Sequence, residues 1–250
     1  MKAYRADLHI HTLLSPCGSL EMSPVNIVRA ALDAQLDLIA ITDHNSTLQA
    51  PLIMELGKKN GLMVIGGAEV NTLEEVHCLC LFGSTVLLSE FQKFLSRHLI
   101  KVANRPDSFG EQIVVDEQEM IVAEEPWLLI NALDVPMLEV ETEVHRLGGL
   151  FIPAHIDRPF NGLFSQLGFL PPSLNADAFE LSANANCEAW LNSQKLPPNA
   201  AVLQNSDAHR PEQVGKGTSL LKMKELSFAE LKMALRKQSG RDVNWRTPIA

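Results

Sequence analysis

The chain has 250 residues, 46% apolar and 20% charged, which is enough for a domain with its own core and excludes a disordered or collagen-like polymer. Its net charge of −9 is uneven: between Pro106 and Glu143 stand eleven carboxylates and no Lys or Arg, so the remainder is close to neutral. This balance argues against a broad duplex-DNA-binding face but admits one anionic ligand elsewhere.

Strand-like runs alternate with amphipathic stretches along the chain. Tyr4 to His9 reads as a strand. Ser23-Pro24 then opens a helix to about Gln35, with Ser as N-cap and Pro at the first helical position. Leu36 to Thr42 is the second strand, and Leu48 to Asn60 a helix that Gly61 closes. Strands over Met63–Glu69 and Val76–Phe82 follow, then a helix over Ser89–His98. Asp134-Val135-Pro136 opens another helix, ended by Gly148-Gly149. Strands follow at Leu150–Ala154, Ala178–Leu181 and Ala201–Asn205, and Ser227 with Glu230 spells a capping box for a last helix to about Lys237.

The rhythm predicts an α/β fold with a mainly parallel sheet, a single domain over 1–250 in which the acidic stretch 105–131 is an insertion. Apolar runs such as Gly61 to Ala68 are far shorter than the roughly 20 residues of a membrane helix. Asp7, His9 and His11 interrupt the segment where a secretory signal needs an unbroken apolar core. The four cysteines have neither CxxC spacing nor a dense framework; Cys78, Cys80 and Cys187 read as core packing. A soluble, cytoplasmic protein with no membrane partner is expected. Trp127, Trp190 and Trp245 read as core or edge packing rather than a base-stacking platform.

The chemistry lies at the strand ends. In Asp7-Leu8-His9-Ile10-His11, alternation projects His9 and His11 to one face and sends Leu8 and Ile10 into packing. An HxH alone does not define a metal site, but six of the eight histidines fall at such positions. Thr42-Asp43-His44 follows the second strand, Glu69 ends the third, His77 begins the fourth run, and His155 and Ser206-Asp207-Ala208-His209 close two later ones. In an α/β barrel the C-terminal strand ends converge on one mouth. Only His98 and His145 lie inside predicted helices.

This ordered set resembles the PHP (polymerase and histidinol phosphatase) family over nearly the whole chain. The resemblance implies a distorted seven-stranded (β/α) barrel, TIM-like, with two to three divalent metals (zinc, iron or manganese) at its mouth. On these positions, His9, His11, Glu69 and Asp207 would hold one metal, and Glu69 would bridge to a second completed by His77 and His155. His44 and His209 would hold a third with a ligand from the loop after the first motif. The family usually places His or Asp there; this sequence offers Cys17, a soft ligand favouring zinc or iron, the alternative being that Cys17 only packs. Asp7 and Asp43 are expected either to orient imidazole N–H groups or to serve as turn acids.

The function implied is a phosphoesterase acting through a metal-bridging hydroxide on a small phosphomonoester, a nucleotide or a short single-stranded oligonucleotide's 5′ end, with Glu69, Asp207 and His209 at the reacting centre. Arg158 and Arg210 are the candidates for binding the phosphoryl group, against a solvated or salt-bridged role for each. Alternatives are a histidinol-phosphate phosphatase, an amidohydrolase-like hydrolase of C–N or C–O bonds, and a non-catalytic metal-binding module. The acidic insertion is expected beside the mouth as a lid or wall.

Overall fold

Leu38-Ile39-Ala40-Ile41 is an unbroken apolar run because both faces of its sheet are covered, one by helices and one by the barrel interior. The structure is a computed structural model that describes residues 1–193 and 196–244; Trp245 lies outside them. In chain order the elements are β1 (Lys2–Ile10), α1 (Pro24–Asp33), β2 (Leu38–Ile41), α2 (Ala50–Lys59), β3 (Met63–Asn71), β4 (His77–Phe82) and α3 (Thr85–His98). Then come α4 (Pro106–Phe109), β5 (Ile113–Val115), β6 (Ile121–Glu124), α5 (Met137–Arg146), β7 (Leu150–Pro153) and α6 (Leu163–Leu167). The last are β8 (Phe179–Leu181), α7 (Cys187–Asn192), β9 (Val202–Gln204), β10 (Ser219–Met223), α8 (Phe228–Leu235) and β11 (Asp242–Asn244).

A seven-stranded sheet runs β11-β10-β1-β2-β3-β4-β7, and β8 pairs with β9. Hydrogen bonds from the Asp177 N–H to the Phe151 carbonyl and from the Ile156 N–H to the Glu180 carbonyl (both 2.9 Å) join β7 to β8. The His11 N–H to Ala208 carbonyl bond (2.9 Å) brings the end of β9 back to β1. The result is a curled, open, distorted barrel of β1, β2, β3, β4, β7, β8 and β9.

The sheet is not mainly parallel. β1–β2 and β2–β3 are parallel, but β3–β4, β4–β7, β1–β10 and β10–β11 are antiparallel. Only residues 72–76 separate β3 from β4, too few for a parallel crossover, so the chain must turn back as a hairpin. His77 therefore reaches the mouth from the N-terminal end of its strand, opposite Asn71.

Period-two alternation sorts the strands into two apolar layers. Leu38, Ala40, Ile65, Leu79, Leu81, Ile152 and Leu203 fill the barrel interior, while Ile39, Ile41, Val64, Cys78, Cys80 and Phe151 pack outward with the helix residues Ile27, Ile53, Phe91 and Val140. Cys187 is buried in the outer layer as well. On β1 the alternation fails: a register shift between Asp7 and Ile10 puts Leu8 in the inner layer and Ile10 in the outer one. Such an irregularity beside a site re-aims side chains.

The helix signals hold with differences at α3, α5 and α8. Ser23, Ser84 and Ser227 cap α1, α3 and α8 through their hydroxyls, each worth about 1 kcal/mol. α3 starts four residues earlier than its expected start, at the Ser84 cap. The capping box at α8 is half formed: Ser227 accepts from the Glu230 N–H (3.2 Å), but the Glu230 carboxylate turns to Arg241. Asp134 does not cap α5; it bonds His98, and the Glu74 carboxylate accepts the Met137 N–H (2.9 Å) instead.

The acidic segment forms the α4 turn and the β5–β6 hairpin. Gln49 clasps Val115 through both its amide atoms, and Gly110, at φ +106°, lies directly against the Pro16 carbonyl. The segment thus adjoins the loop that carries Cys17, and the face of β6 is exposed.

Candidate metal centre

Glu69 is the hub. Its position on β3 shares the inward face of Ile65, and the glycine between them, Gly67, lets β4 approach so closely that a Cβ would fall 2.4 Å from the Cys80 carbonyl oxygen. Five imidazole nitrogens surround the buried carboxylate: His77 Nδ1 at 2.8 Å, His155 Nε2 at 2.9 Å, His44 Nδ1 at 3.1 Å, His11 Nε2 at 3.3 Å and His9 Nε2 at 3.4 Å. Asp207 Oδ1 adds a second carboxylate 3.2 Å from both His9 and His11 Nε2. His155 (φ +27°), Asp207 (φ +53°) and Asn45 (φ +44°) hold left-handed backbone, strain that only a firmly built loop sustains.

The tautomers of the first pair are fixed from behind. Glu180, buried, accepts from His9 Nδ1 (3.0 Å), from the Asn205 amide (2.8 Å) and from the His155 N–H (2.9 Å). Ser15 accepts from His11 Nδ1 (2.9 Å) because its own hydroxyl proton goes to Asp43 (2.7 Å). Both Nδ1 atoms thus carry hydrogen, and both Nε2 lone pairs, 3.1 Å apart, face each other and two carboxylates. His44 Nδ1 and Asp207 Oδ1 are buried there without a hydrogen bond. Neutral groups cannot satisfy that geometry; positive charge must, as protons or as a metal cation. The donor atoms of His9, His11, Glu69 and Asp207 lie within 4.8 Å of one another, as do those of His44, Glu69 and His77, and of His11, His44 and His209. The residues fit divalent metal ions of N/O preference.

The titration pattern follows. Burial pushes the Glu69 carboxyl up, but His77, His9 and His44 together hold it well below the usual range. Asp207 is likewise held low by His9 and His11 against its burial. Burial disfavours charge on His9 and His11, yet the carboxylates overcome it, lifting His9 well above its ordinary value and His11 to about 9. His44 and His209 go the other way through burial, with His11 adding to it, His209 to about 4. A cation binding here displaces the protons of the first pair.

The structure brings together every histidine expected at the mouth, with Glu69 and Asp207. Cys17 lies at the surface, its Sγ 3.1 Å from His209 Nε2; desolvation first and Glu69 next push its thiol up to about 12. Arg158 lines the cavity of about 290 Å³ over the cluster, but its Nη1 is 2.6 Å from Asp207 Oδ2, the salt-bridged alternative. Arg210 does not line that cavity; it is exposed at the head of a 3₁₀ turn, Pro211–Gln213.

Two acids act otherwise than as imidazole partners. Asp7 accepts the backbone N–H groups of Ser206 (3.0 Å) and Gly215 (2.9 Å), tying the Asp207 loop to β1, and burial lifts its carboxyl to about 6. Asp43 reaches His11 only through Ser15, and also binds the Thr12 N–H and hydroxyl. The residues missed in the sequence are Glu180 and Ser15. Glu180 had one signal: an acid between Phe179 and Leu181 in an otherwise apolar strand, on the inward face of Ala178.

The PHP domain model matches residues 7–128 and the PHP-associated model residues 183–239. Curated relatives include the uncharacterized protein YqxK of Bacillus subtilis, 32% identical over 112 residues, 42% of this chain and 28% of the relative. The 5'-3' exoribonuclease Rnm of Salmonella typhimurium is 34% identical over 82 residues, 32% of this chain and 27% of the relative. This chain thus matches less than a third of either relative's length. Among solved structures, the lesion-specific endonuclease EndoQ of Pyrococcus furiosus superposes with a TM-score of 0.72 at 22% identity, covering 97% of this chain and 58% of that one, a likeness of fold. No helix of the described residues is long and apolar enough to cross a membrane. The chain thus carries a PHP domain over residues 7–128, followed by a PHP-associated region over residues 183–239.

Proposed function

We propose that the protein is a metal-dependent phosphoesterase that hydrolyses the phosphate ester of a small molecule, a nucleotide or the 5′ end of a short oligonucleotide. The observation that carries this reading is the single buried carboxylate, Glu69, met by five imidazoles, with two of their tautomers locked so that lone pairs face inward. His9, His11, Glu69 and Asp207 would hold one ion; Glu69 with His77 and His155 a second; His44, His209 and Cys17 a third. Divalent ions in such a set supply Lewis acidity, making water a nucleophile near neutral pH and offsetting phosphoryl charge.

The chain's own groups do the rest. Glu180, Ser15 and Asp43 keep the imidazoles aimed. Arg158 spends Nη1 on Asp207 and retains the other donors of its fork for a phosphoryl oxygen at the cavity wall. The reacting group enters a small cavity walled by protein, whereas the flanking acidic segment disfavours a long polyanion. The names of Rnm and endonuclease Q, both acting on nucleic acids, support an ester that contains a nucleotide.

The test is a metal-replete preparation with its ions counted by elemental analysis and screened against phosphomonoesters, 3′,5′-bisphosphorylated nucleotides, phosphodiesters and amides. We expect two to three ions per chain and release of phosphate. Amide hydrolysis without phosphate release would favour the amidohydrolase reading; full metal loading with no turnover would favour a binding module.

A further inference from the structure

The segment leaving β7 carries an aromatic ring that packing does not explain. Phe160 is 77% exposed, the most exposed large apolar side chain among the described residues, yet it lines the cavity over Glu69. A single exposed apolar residue is ordinary. This one stands on a loop whose two ends are fixed. The Arg158 N–H bonds the His155 carbonyl (2.9 Å), and Asp157 accepts the Ser182 N–H (2.8 Å) at the end of β8. On the other side the Asn161 carbonyl accepts the His77 N–H (2.9 Å), and the Asn161 amide donates to the Glu75 carbonyl (3.1 Å). Gly162 lets the loop fold tightly, since a Cβ there would lie 2.6 Å from the Arg158 carbonyl oxygen. The backbone that carries the ring is thus fixed at the rim, two residues from the guanidinium that faces the cavity, so that the loop's ordering cost is met in the free protein.

We propose that Phe160 is a specificity-determining residue: the flat surface on which the base of a nucleoside phosphate stacks while its phosphoryl group sits below, over Glu69. The inference rests on the phosphoesterase reading of the same site and adds the class of alcohol. Stacking needs only a π-face, which every base has. Reading a base edge needs donors aimed at it, and here Arg158 pairs with Asp207 and turns its remaining donors to the phosphoryl group, while Asn161 gives its amide nitrogen to the Glu75 carbonyl. The site therefore favours nucleotides over sugar phosphates and is tolerant of which base it meets.

The test compares wild type, Phe160→Ala and Phe160→Trp, all metal-loaded, on the four ribonucleoside 5′-monophosphates and on ribose 5-phosphate. We expect Phe160→Ala to lower kcat/KM for nucleotides about tenfold to a hundredfold, with ribose 5-phosphate unchanged within about twofold. Phe160→Trp should retain the nucleotide rate, and the four bases should agree within about fivefold. Binding is measured in parallel by calorimetry with 5′-deoxy-5′-phosphonomethyl nucleosides, whose C–P bond replaces the ester linkage. Equal losses on nucleotide and sugar phosphate, or no loss on either, overturn the proposal. If no phosphate ester turns over but phosphonate binding still depends on Phe160, the stacking role stands and the phosphoesterase reading falls. If neither turnover nor binding depends on Phe160, the proposal falls.

Discussion

Two buried charged clusters sit in different parts of the molecule, and only one is complete. Where α8 meets β11, Arg241 donates Nη2 to Glu230 Oε1 (2.7 Å) and Nε to Oε2 (3.0 Å), with Nη1 on the Ser239 carbonyl (3.1 Å). The Lys224 N–H gives Glu230 a further bond (2.7 Å). Donors and acceptors match, charge cancels, and nothing more is needed. At the mouth, imidazole lone pairs face carboxylates and each other, and buried atoms of His44 and Asp207 lack hydrogen bonds. A matched buried pair holds a fold in register; an unmatched set of donors is organised around something it binds.

The sharpest way to break this contrast is to remove the hub. Glu69→Gln should cost roughly a thousandfold or more in turnover and release ions from both sides of the bridge, because a neutral amide neither bridges well nor offsets their charge. Elemental analysis beside kcat checks it, and full activity with unchanged metal content would refute the assignment of Glu69.

Arg158→Ala tests whether a side chain already paired with Asp207 also serves the substrate. We expect a loss of roughly a hundredfold in kcat/KM on two phosphate esters differing only in leaving group, since the contact is to the phosphoryl group. Arg210→Ala should stay near wild type because Arg210 lies off the cavity. Metal loss in Arg158→Ala without a change per bound ion would assign Arg158 to holding Asp207 alone.

Glu180→Gln removes no expected ligand. Its amide N–H₂ would compete with the N–H of His9 and drive that ring toward the wrong tautomer, costing about tenfold to a hundredfold in metal affinity. Metal titration would show it, and unchanged affinity would mean that the ring is aimed by packing alone.

A smaller effect is expected at the surface edge. Cys17→Ser should lower occupancy of the outermost ion several-fold while the ions on Glu69 remain, because Cys17 contacts only His209 within the cluster. Loss of all ions together would show that the centre is one cooperative unit.

The complete cluster gives the mildest expectation, a pH dependence of stability. Through Arg241 first, and then Lys224, Glu230 is held down to about 2 against an ordinary 4.5. A depressed carboxyl contributes stability that is present above its unfolded value and lost as pH falls through the folded one. The stability gap between wild type and Glu230→Gln, from urea unfolding, should therefore be full above about pH 4.5 and shrink toward pH 2. A gap constant over that range would mean that shape, not charge, sets the effect.

Much of the site was legible because its donors stand at strand ends in a fixed order: His9 and His11 on β1, His44 after β2, Glu69 on β3, and Asp207 with His209 after β9. The strands, their apolar alternation and the serine caps are local properties, written in spacing and residue type. The orientation of β4, the break of alternation on β1, the pairing of Arg158 with Asp207 and the whole supporting role of Glu180 came only with the tertiary structure. Their reason is common: each depends on a partner distant in the chain. Glu180 meets His9 across 171 positions, and no periodicity in either strand records that meeting. Sequence determined which atoms could bind and which faces they occupy; the curling of the sheet, which brings distant strands together, decided which lone pairs were left facing inward.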